Sequence, residues 1–280
     1  MIHYVFALTL FFICLGTTPA TSDTFSIPES EMTVVDLDSL FVKMEGPGSF
    51  VLLNATTGKY LVHNYERIQQ RFIPASTFKI PNSLIALETG VVDGPEFTLK
   101  RDTVRAPAGP YWPRSWRRDH TLRTAFQNSV YWYYQEVARR VGNDQVQAYV
   151  DRFEYGNRNL SPKVDTFWLH GDLRISPIEQ IRFVQRFNEG KLSVSQRSTE
   201  IVKDIMVLER GEEYILRGKT GTAEVTPTRE LGWLAGYLER GDDTFYYVLN
   251  MEGERVWEES PPQKRKNLVL KILRTLGILD

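Results

Sequence analysis

Three strand-length runs follow one another near the end of the chain, and they constrain the fold more than any other feature. They are Tyr214 to Glu224, Leu231 to Glu239 and Thr244 to Met251, with Gly241-Asp242-Asp243 as the turn between the last two. Far earlier, Ser49-Phe50-Val51-Leu52-Leu53-Asn54 and Lys59-Tyr60-Leu61-Val62-His63-Asn64 flank the turn Ala55-Thr56-Thr57-Gly58 and read as a hairpin. Between the two groups the pattern is mostly helical. An antiparallel sheet built from both chain ends, with helices against it and an inserted helical region, fits this order. The expected fold is α/β of the α+β type, with a sheet part over about 21–70 and 212–280 and a helical part over about 71–211. A cleft between the two parts is where a small-molecule site is expected.

The helical part reads in pieces. Ser76 to Thr89 is one helix, preceded by Pro74 and stopped by Gly90. Residues 121 to 141 read as a helix carrying Tyr131, Trp132, Tyr133 and Tyr134, and Asn143 to Phe153 as another. Ser176-Pro177-Ile178-Glu179 has the cap, first-position proline and capping-box glutamate of a helix start, running to about Asn188. Ser195 to Leu208 also reads as helix. Pro261-Pro262 opens the last helix, with Leu268, Ile272, Leu273 and Leu276 on one face. Residues 21 to 36 read as a polar lead-in, Val35 to Lys43 as a short helix, and 92 to 120 as an irregular stretch rich in proline and glycine.

Charge narrows the function. The 34 basic and 35 acidic residues nearly cancel, so nothing points to nucleic acid or an anionic membrane as a partner. The basic and aromatic piece Arg114-Ser115-Trp116-Arg117-Arg118 therefore reads as a solvated loop beside the cleft. The histidines, His3, His63, His120 and His170, lack metal-ligand spacing to one another, and no bound metal is expected. Residues 4 to 16 are apolar but too short to span a bilayer comfortably, and Thr18-Pro19-Ala20 supplies a small-residue cleavage site. Residues 1–20 read as a secretory signal peptide, although its start lacks Lys and Arg; a secreted, periplasmic product without stable membrane association is expected. Cys14 is the single cysteine, so disulfides and cysteine catalysis are excluded after cleavage.

The chemistry-bearing stretch is Pro74-Ala75-Ser76-Thr77-Phe78-Lys79-Ile80-Pro81-Asn82. Serine and lysine three apart share a helical face, so Oγ and Nζ can meet. A serine hydroxyl becomes nucleophilic when a neighbouring base takes its proton. Lysine is that base only if desolvation or nearby positive charge removes its own proton. Lys219-Thr220-Gly221-Thr222 on the first late strand offers a cation, a hydroxyl and room for close backbone approach. Each motif alone is weak; Ser-x-x-Lys, an interior serine at Ser129 and Lys-Thr-Gly in that order are a strong joint signal.

Ser-Asp-Asn is absent at the middle position. Pro-Ala-Ser-Thr-Phe-Lys, Tyr155-Gly156-Asn157, Phe167-Trp168-Leu169 and Lys-Thr-Gly instead resemble the class D, oxacillinase-type β-lactamases of the penicillin-recognising serine enzymes, from about Ser49 to the C-terminus. The resemblance implies Ser76 as the acylated nucleophile and Lys79, carboxylated on Nζ, as general base. It implies Ser129 as proton relay to the β-lactam nitrogen and Trp168 as donor to the lysine carbamate. The N–H groups of Ser76 and Thr222 would form the oxyanion hole. Lys219 and Thr220, beside Gly221 and Thr222, would bind near the substrate carboxylate, with Arg265 as its bidentate partner unless the register slips to Lys264 or Lys266. Tyr155 and Asn157 would shape the cleft. No metal is implied, and the one small molecule required besides the β-lactam is carbon dioxide or bicarbonate. One position departs: the family's middle motif is usually Ser-x-Val, and here Tyr131 follows Ser129-Val130. The penicillin-sensor domains of transmembrane receptors share the resemblance, and slow deacylation is the alternative outcome; a D,D-peptidase is a third.

Overall fold

The β signals at both ends meet in one sheet. The computed structural model describes residues 26–42, 46–110, 112–254 and 261–280, so the leader reading of 1–20 lies outside the described residues. The strands of the main sheet are β1 (Met32–Val34), β2 (Gly48–Asn54), β3 (Tyr60–His63), β6 (Val207–Arg210), β7 (Tyr214–Thr226), β8 (Arg229–Arg240) and β9 (Asp243–Glu254). Their order is β1-β3-β2-β9-β8-β7-β6, and a two-stranded piece pairs β4 (Thr98–Leu99) with β5 (His120–Thr121). All main-sheet pairings are antiparallel except that of β1, which joins β3 in parallel. Two elements depart from the sequence expectation here. The lead-in contributes strand β1, and the helix expected over Ser195 to Leu208 ends at Ile205, after which the chain turns back as β6 beside β7.

The helices are α1 (Asp38–Phe41), α2 (Tyr65–Gln69), α3 (Lys79–Glu88), α4 (Leu122–Gln127), α5 (Tyr131–Val141), α6 (Asn143–Arg152), α7 (Pro177–Asn188), α8 (Gln196–Ile205) and α9 (Pro261–Thr275). None of the described helices is long and apolar enough to cross a membrane. The capping box read from the sequence forms as expected, with Ser176 Oγ accepting from Glu179 N–H and Glu179 Oε2 accepting from Ser176 N–H at 2.8 Å.

Strand alternation gives the sheet two apolar faces. Phe50 and Leu52 of β2 and Leu234 and Leu238 of β8 share a cluster with Val269, Ile272 and Leu273 of α9. Val51, Leu53, Trp233 and Ala235 face the other way, into a cluster with Ile181 and Val184 of α7 and the rest of the helical part. Both faces are covered, which is why the strands read as nearly continuous apolar runs. Each fully buried large side chain contributes about 1.5–3 kcal/mol.

Two local conformations position the site. The segment before α3 is a 3-10 turn, Ala75–Phe78, rather than the first turn of one helix as expected. Buried Ala75 stands at φ 50°, a left-handed conformation that costs an L residue roughly 1–2 kcal/mol. Its approach is tethered by paired backbone hydrogen bonds between Phe72 and Ile175, by the Arg71–Glu179 ion pair and by the Trp233 indole N–H donating to the Ile73 carbonyl at 3.0 Å. Likewise the single helix expected over 121 to 141 is two helices. Val130 N–H donates to the Ala125 carbonyl and Ser129 N–H to that of Phe126, with Ser129 at φ 55°. That is a Schellman closure with serine in the place glycine usually takes. The apolar pattern continues on both sides of the break, so periodicity could not reveal it.

Gly221 of β7 packs against the 3-10 turn. A Cβ added there would lie 3.0 Å from the Pro74 carbonyl oxygen and 3.3 Å from Thr77 N. Gly221→Ala should therefore destabilise the fold by about 1–3 kcal/mol through overpacking. Urea unfolding measures this; an unchanged midpoint would contradict so close an approach.

Candidate active site

The 3-10 turn leaves Ser76 half-buried while Lys79, the first residue of α3, is 1% exposed. Lys79 Nζ donates to Ser76 Oγ at 2.8 Å. Burial holds the Lys79 ammonium well below the usual lysine range, and the charge of Lys219 lowers it further. The Tyr134 ring lies 5.2 Å from Nζ, and the Tyr134 hydroxyl is 2.8 Å from Ser83 Oγ. A neutral amine beside a hydroxyl can accept its proton, so the pair has the geometry of an activated nucleophile.

An aromatic box closes around Phe78. Trp168 stacks on it at 5.8 Å and 17°, and Phe167 and Tyr155 meet it edge-on at 4.9 and 5.4 Å. Tyr155 is placed by a second left-handed closure, at Glu154, after α6. Its hydroxyl donates to Gln180 Oε1 at 2.9 Å and also hydrogen-bonds Thr77, so it braces the turn from below. Asn157 acts farther off, donating to the Asp172 carbonyl and accepting from Arg174 N–H. Trp168 is fully buried, and its indole N–H has no hydrogen-bond partner among the described residues. An orphaned donor of this kind costs about 1–3 kcal/mol, and it marks a place where an acceptor fits.

Strand β7 supplies the opposite wall. Alternation sends Lys219 toward the helical part, 5.7 Å above the Phe126 ring, and Thr222 toward α9. Lys219 Nζ donates to the Thr220 carbonyl at 3.0 Å. Burial, then the charge of Arg265, lowers Lys219 to about 7. Arg265 is 3% exposed; Nη2 donates to Thr222 Oγ1 at 2.6 Å and Nη1 lies 3.5 Å from Glu230. Its Nε has no partner among the described residues, and burial lowers the guanidinium to about 10 against the opposing pull of Glu230. Gly232 makes room for it: a Cβ there would stand 2.7 Å from Nη1. Of the three consecutive basic residues, Arg265 is the one that turns to β7, while Lys266 pairs with Glu209 at 2.6 Å and Lys264 is exposed. A cavity of about 350 Å³ runs beside this wall, bounded by Phe126, Gln127, Lys219, Thr220, Gln263 and Lys266.

Ser129, Ser76, Lys79, Lys219 and Trp168 thus belong to elements that converge, with Ser129 in a link and not inside a helix. The link is anchored from the irregular stretch: the Trp116 indole donates to the Asn128 carbonyl, and the Trp132 indole to that of Trp116, both at 2.8 Å. Tyr131 is half-buried, hydrogen-bonds Gln135 and feels the charges of Asp165 and Arg139. The tyrosine over the lysine is Tyr134. Sequence reading missed both Tyr134 and Glu230, since neither belongs to a motif; only the spacing of Tyr134 three residues beyond Tyr131, one helical turn on, pointed toward the former.

The family model for the penicillin binding protein transpeptidase domain matches residues 48–274. The chain is 33% identical to the regulatory protein BlaR1 of Bacillus licheniformis over 98% of its own length, and it spans 45% of that longer protein. It is 40% identical to the β-lactamase OXA-48 of Klebsiella pneumoniae, covering 76% of this chain and 78% of the relative. Among solved structures, the class D β-lactamase YbXI from Nostoc superposes with a TM-score of 0.79 at 36% identity, over 88% of this chain and all of the other. The chain belongs to the penicillin-binding-protein transpeptidase family and, within it, to the class D serine β-lactamases.

Proposed function

We propose that this chain hydrolyses penicillin-type β-lactams through an acyl-Ser76 intermediate, and that in the cell it acts as a secreted, periplasmic resistance enzyme. The observation that carries the reading is the 2.8 Å contact between Ser76 Oγ and a lysine amine whose burial disfavours its charged form. Ser76 Oγ attacks the lactam carbonyl carbon as its proton leaves toward Lys79, the C–N bond breaks, and the ring nitrogen takes up a proton by way of Ser129. The N–H groups of Ser76 and Thr222 hold the oxyanion; support comes from the close contact of Gly221 with the Pro74–Thr77 backbone. Water then hydrolyses the ester. Lys219, Thr220 and Arg265 bind the substrate carboxylate, with Thr222 holding the guanidinium by the bond from Arg265.

The residues present fit a carboxylated Lys79. Carbon dioxide adds to a neutral amine, and the lysine pocket is dry; the unpaired Trp168 N–H is a donor in want of an anion. Carboxylation would supply a carboxylate general base for both acylation and deacylation. The surroundings of Tyr131 bear on the slow-deacylation reading: its partners are Gln135, Asp165 and Arg139, while the ring beside the lysine amine is that of Tyr134. The sensor reading, an acylated but hardly turning-over protein, keeps one supporting observation, the likeness to BlaR1 along nearly the whole chain.

A chromogenic cephalosporin separates the two readings. Sustained turnover is expected, and a single stoichiometric burst would establish the sensor instead. Ser76→Ala should lose covalent penicillin labelling and about 10⁴–10⁶ of the rate, since such units are not additive.

Rates measured in carbon-dioxide-free buffer should fall and recover with bicarbonate. Trp168→Phe should raise the bicarbonate requirement roughly 10–100-fold, the loss of one hydrogen bond to a charged group. Indifference of both proteins to bicarbonate would reject carboxylation.

Glu230 shares Arg265 with the proposed substrate carboxylate. Glu230→Gln should lower KM for anionic β-lactams by about threefold or more by removing a competing charge, whereas Arg265→Ala should raise KM more than it lowers kcat. If Lys264→Ala or Lys266→Ala gives the KM effect instead, the carboxylate partner is misassigned.

A further inference from the structure

Strand β6 leaves β7 just before the Lys-Thr-Gly wall begins, and the step opens a cavity. Val207, the first residue of β6, pairs with Arg217, and the Met206 carbonyl accepts from Gly218 N–H at 2.9 Å. From Lys219 onward no strand pairs with that edge of β7 among the described residues. The cavity of about 350 Å³ at this corner is lined by Phe126 of α4, Ile205 of α8, Val207 of β6 and Pro262 of α9, together with Lys219 and Thr220. We propose that it is the subsite for an uncharged, apolar substituent that the substrate carries on the ring carbon next to its carboxylate. The inference rests on the acyl-Ser76 reading and names a substrate class for it, cephalosporins with a large apolar group at C3.

The strand sets the direction. On that reading the lactam carbonyl lies at Thr222 N–H and the carboxylate at Thr220 and Lys219. Two residues of strand separate Thr222 from Thr220, roughly 7 Å, so the substrate lies along the free edge of β7 with its carboxylate end toward β6. A group attached beside the carboxylate leads past Lys219 to Val207 and not back to Ser76. Leu208 packs into the cluster on the α9 face, and by alternation Val207 faces the other way, into the cavity. Val207 is half-buried and belongs to neither apolar cluster among the described residues. Covering its remaining surface with an apolar substrate group is favourable.

The lining selects the occupant. Phe126, Ile205, Val207 and Pro262 are apolar, and the exposed Gln127 and Gln263 form the rim. Both ammonium groups of the lining are committed: Lys266 Nζ donates to Glu209 at 2.6 Å, and Lys219 is taken by the carboxylate. A second anion would therefore find no free cation in the lining, and the occupant is neutral. A dry cavity of about 150 Å³ holds benzene, so one of about 350 Å³ has room for an aryl ring on a two-carbon link. Penicillins place only two methyl groups beside the carboxylate and leave most of the cavity empty.

The test compares second-order acylation rates, which an enzyme and a slowly deacylating sensor both possess. The probes are benzylpenicillin and two cephalosporins with one acyl side chain, a 3-methyl and a 3-arylvinyl compound, each rate corrected for reactivity toward hydroxide. The parent protein should be acylated roughly tenfold faster by the arylvinyl than by the methyl compound, a discrimination typical of an apolar pocket. Val207→Phe, which fills the cavity, and Gln263→Trp, which narrows its mouth from an exposed position, should each abolish that advantage. Both should leave the rates with benzylpenicillin and the 3-methyl compound unchanged, which also reports that the variants are folded. Equal corrected rates for the two cephalosporins in the parent, or a loss shared by all three probes in both variants, would overturn the subsite and leave the acyl-Ser76 reading in place. Failure of benzylpenicillin to acylate the parent would overturn that reading and the subsite with it.

Discussion

The site depends on keeping one amine dry. Lys79 sits on the first turn of α3 with almost no exposure, and the Tyr134 ring lies 5.2 Å from its Nζ. Ammonium burial without a counter-charge is strongly disfavoured, so burial shifts Lys79 toward the neutral form. Sequence-distant rings gather there: Tyr134 of α5 lies over the amine, and Trp168, from the segment before α7, stacks on Phe78 beside it. The strained Ala75 and left-handed Ser129 are what let these pieces converge, and the surrounding tethers hold them there.

A graded row of cations extends from this amine. Lys219 lowers Lys79, Arg265 lowers Lys219, and Glu230 moderates Arg265. Each member is buried, so the charges act through little screening. The sign is consistent along the row: a buried base with its folded value depressed costs stability below that value and releases the cost as pH rises toward the unfolded value. For Lys219 the window runs from about 7 up to the ordinary lysine range. The protein keeps a destabilising arrangement where a reacting anion would be welcomed, and the sheet and two apolar clusters supply the stability to hold it.

Much of this was legible in the sequence. The hairpin, the three long late strands, the α7 capping box and the final helix all follow from period and turn chemistry, which act locally. Ser76 next to Lys79 follows from spacing on one chain segment. The failures share a cause. The short strands β1 and β6 are defined by a distant partner rather than by their own pattern. The break at Ser129 replaces glycine with serine, so the usual signal is missing. Tyr131 drew notice because it stands in a motif, yet one helical turn farther Tyr134 meets the lysine. Glu230 acquires meaning only after α9 packs on β8 and brings Arg265 to it.

We propose that Lys79 is held as a neutral amine able to take up carbon dioxide. Carbon-13 NMR of the protein equilibrated with labelled bicarbonate reads this directly. The account predicts one carbamate carbonyl resonance per chain, absent in Lys79→Ala. A protein that turns over β-lactams at full rate with no such resonance would contradict it.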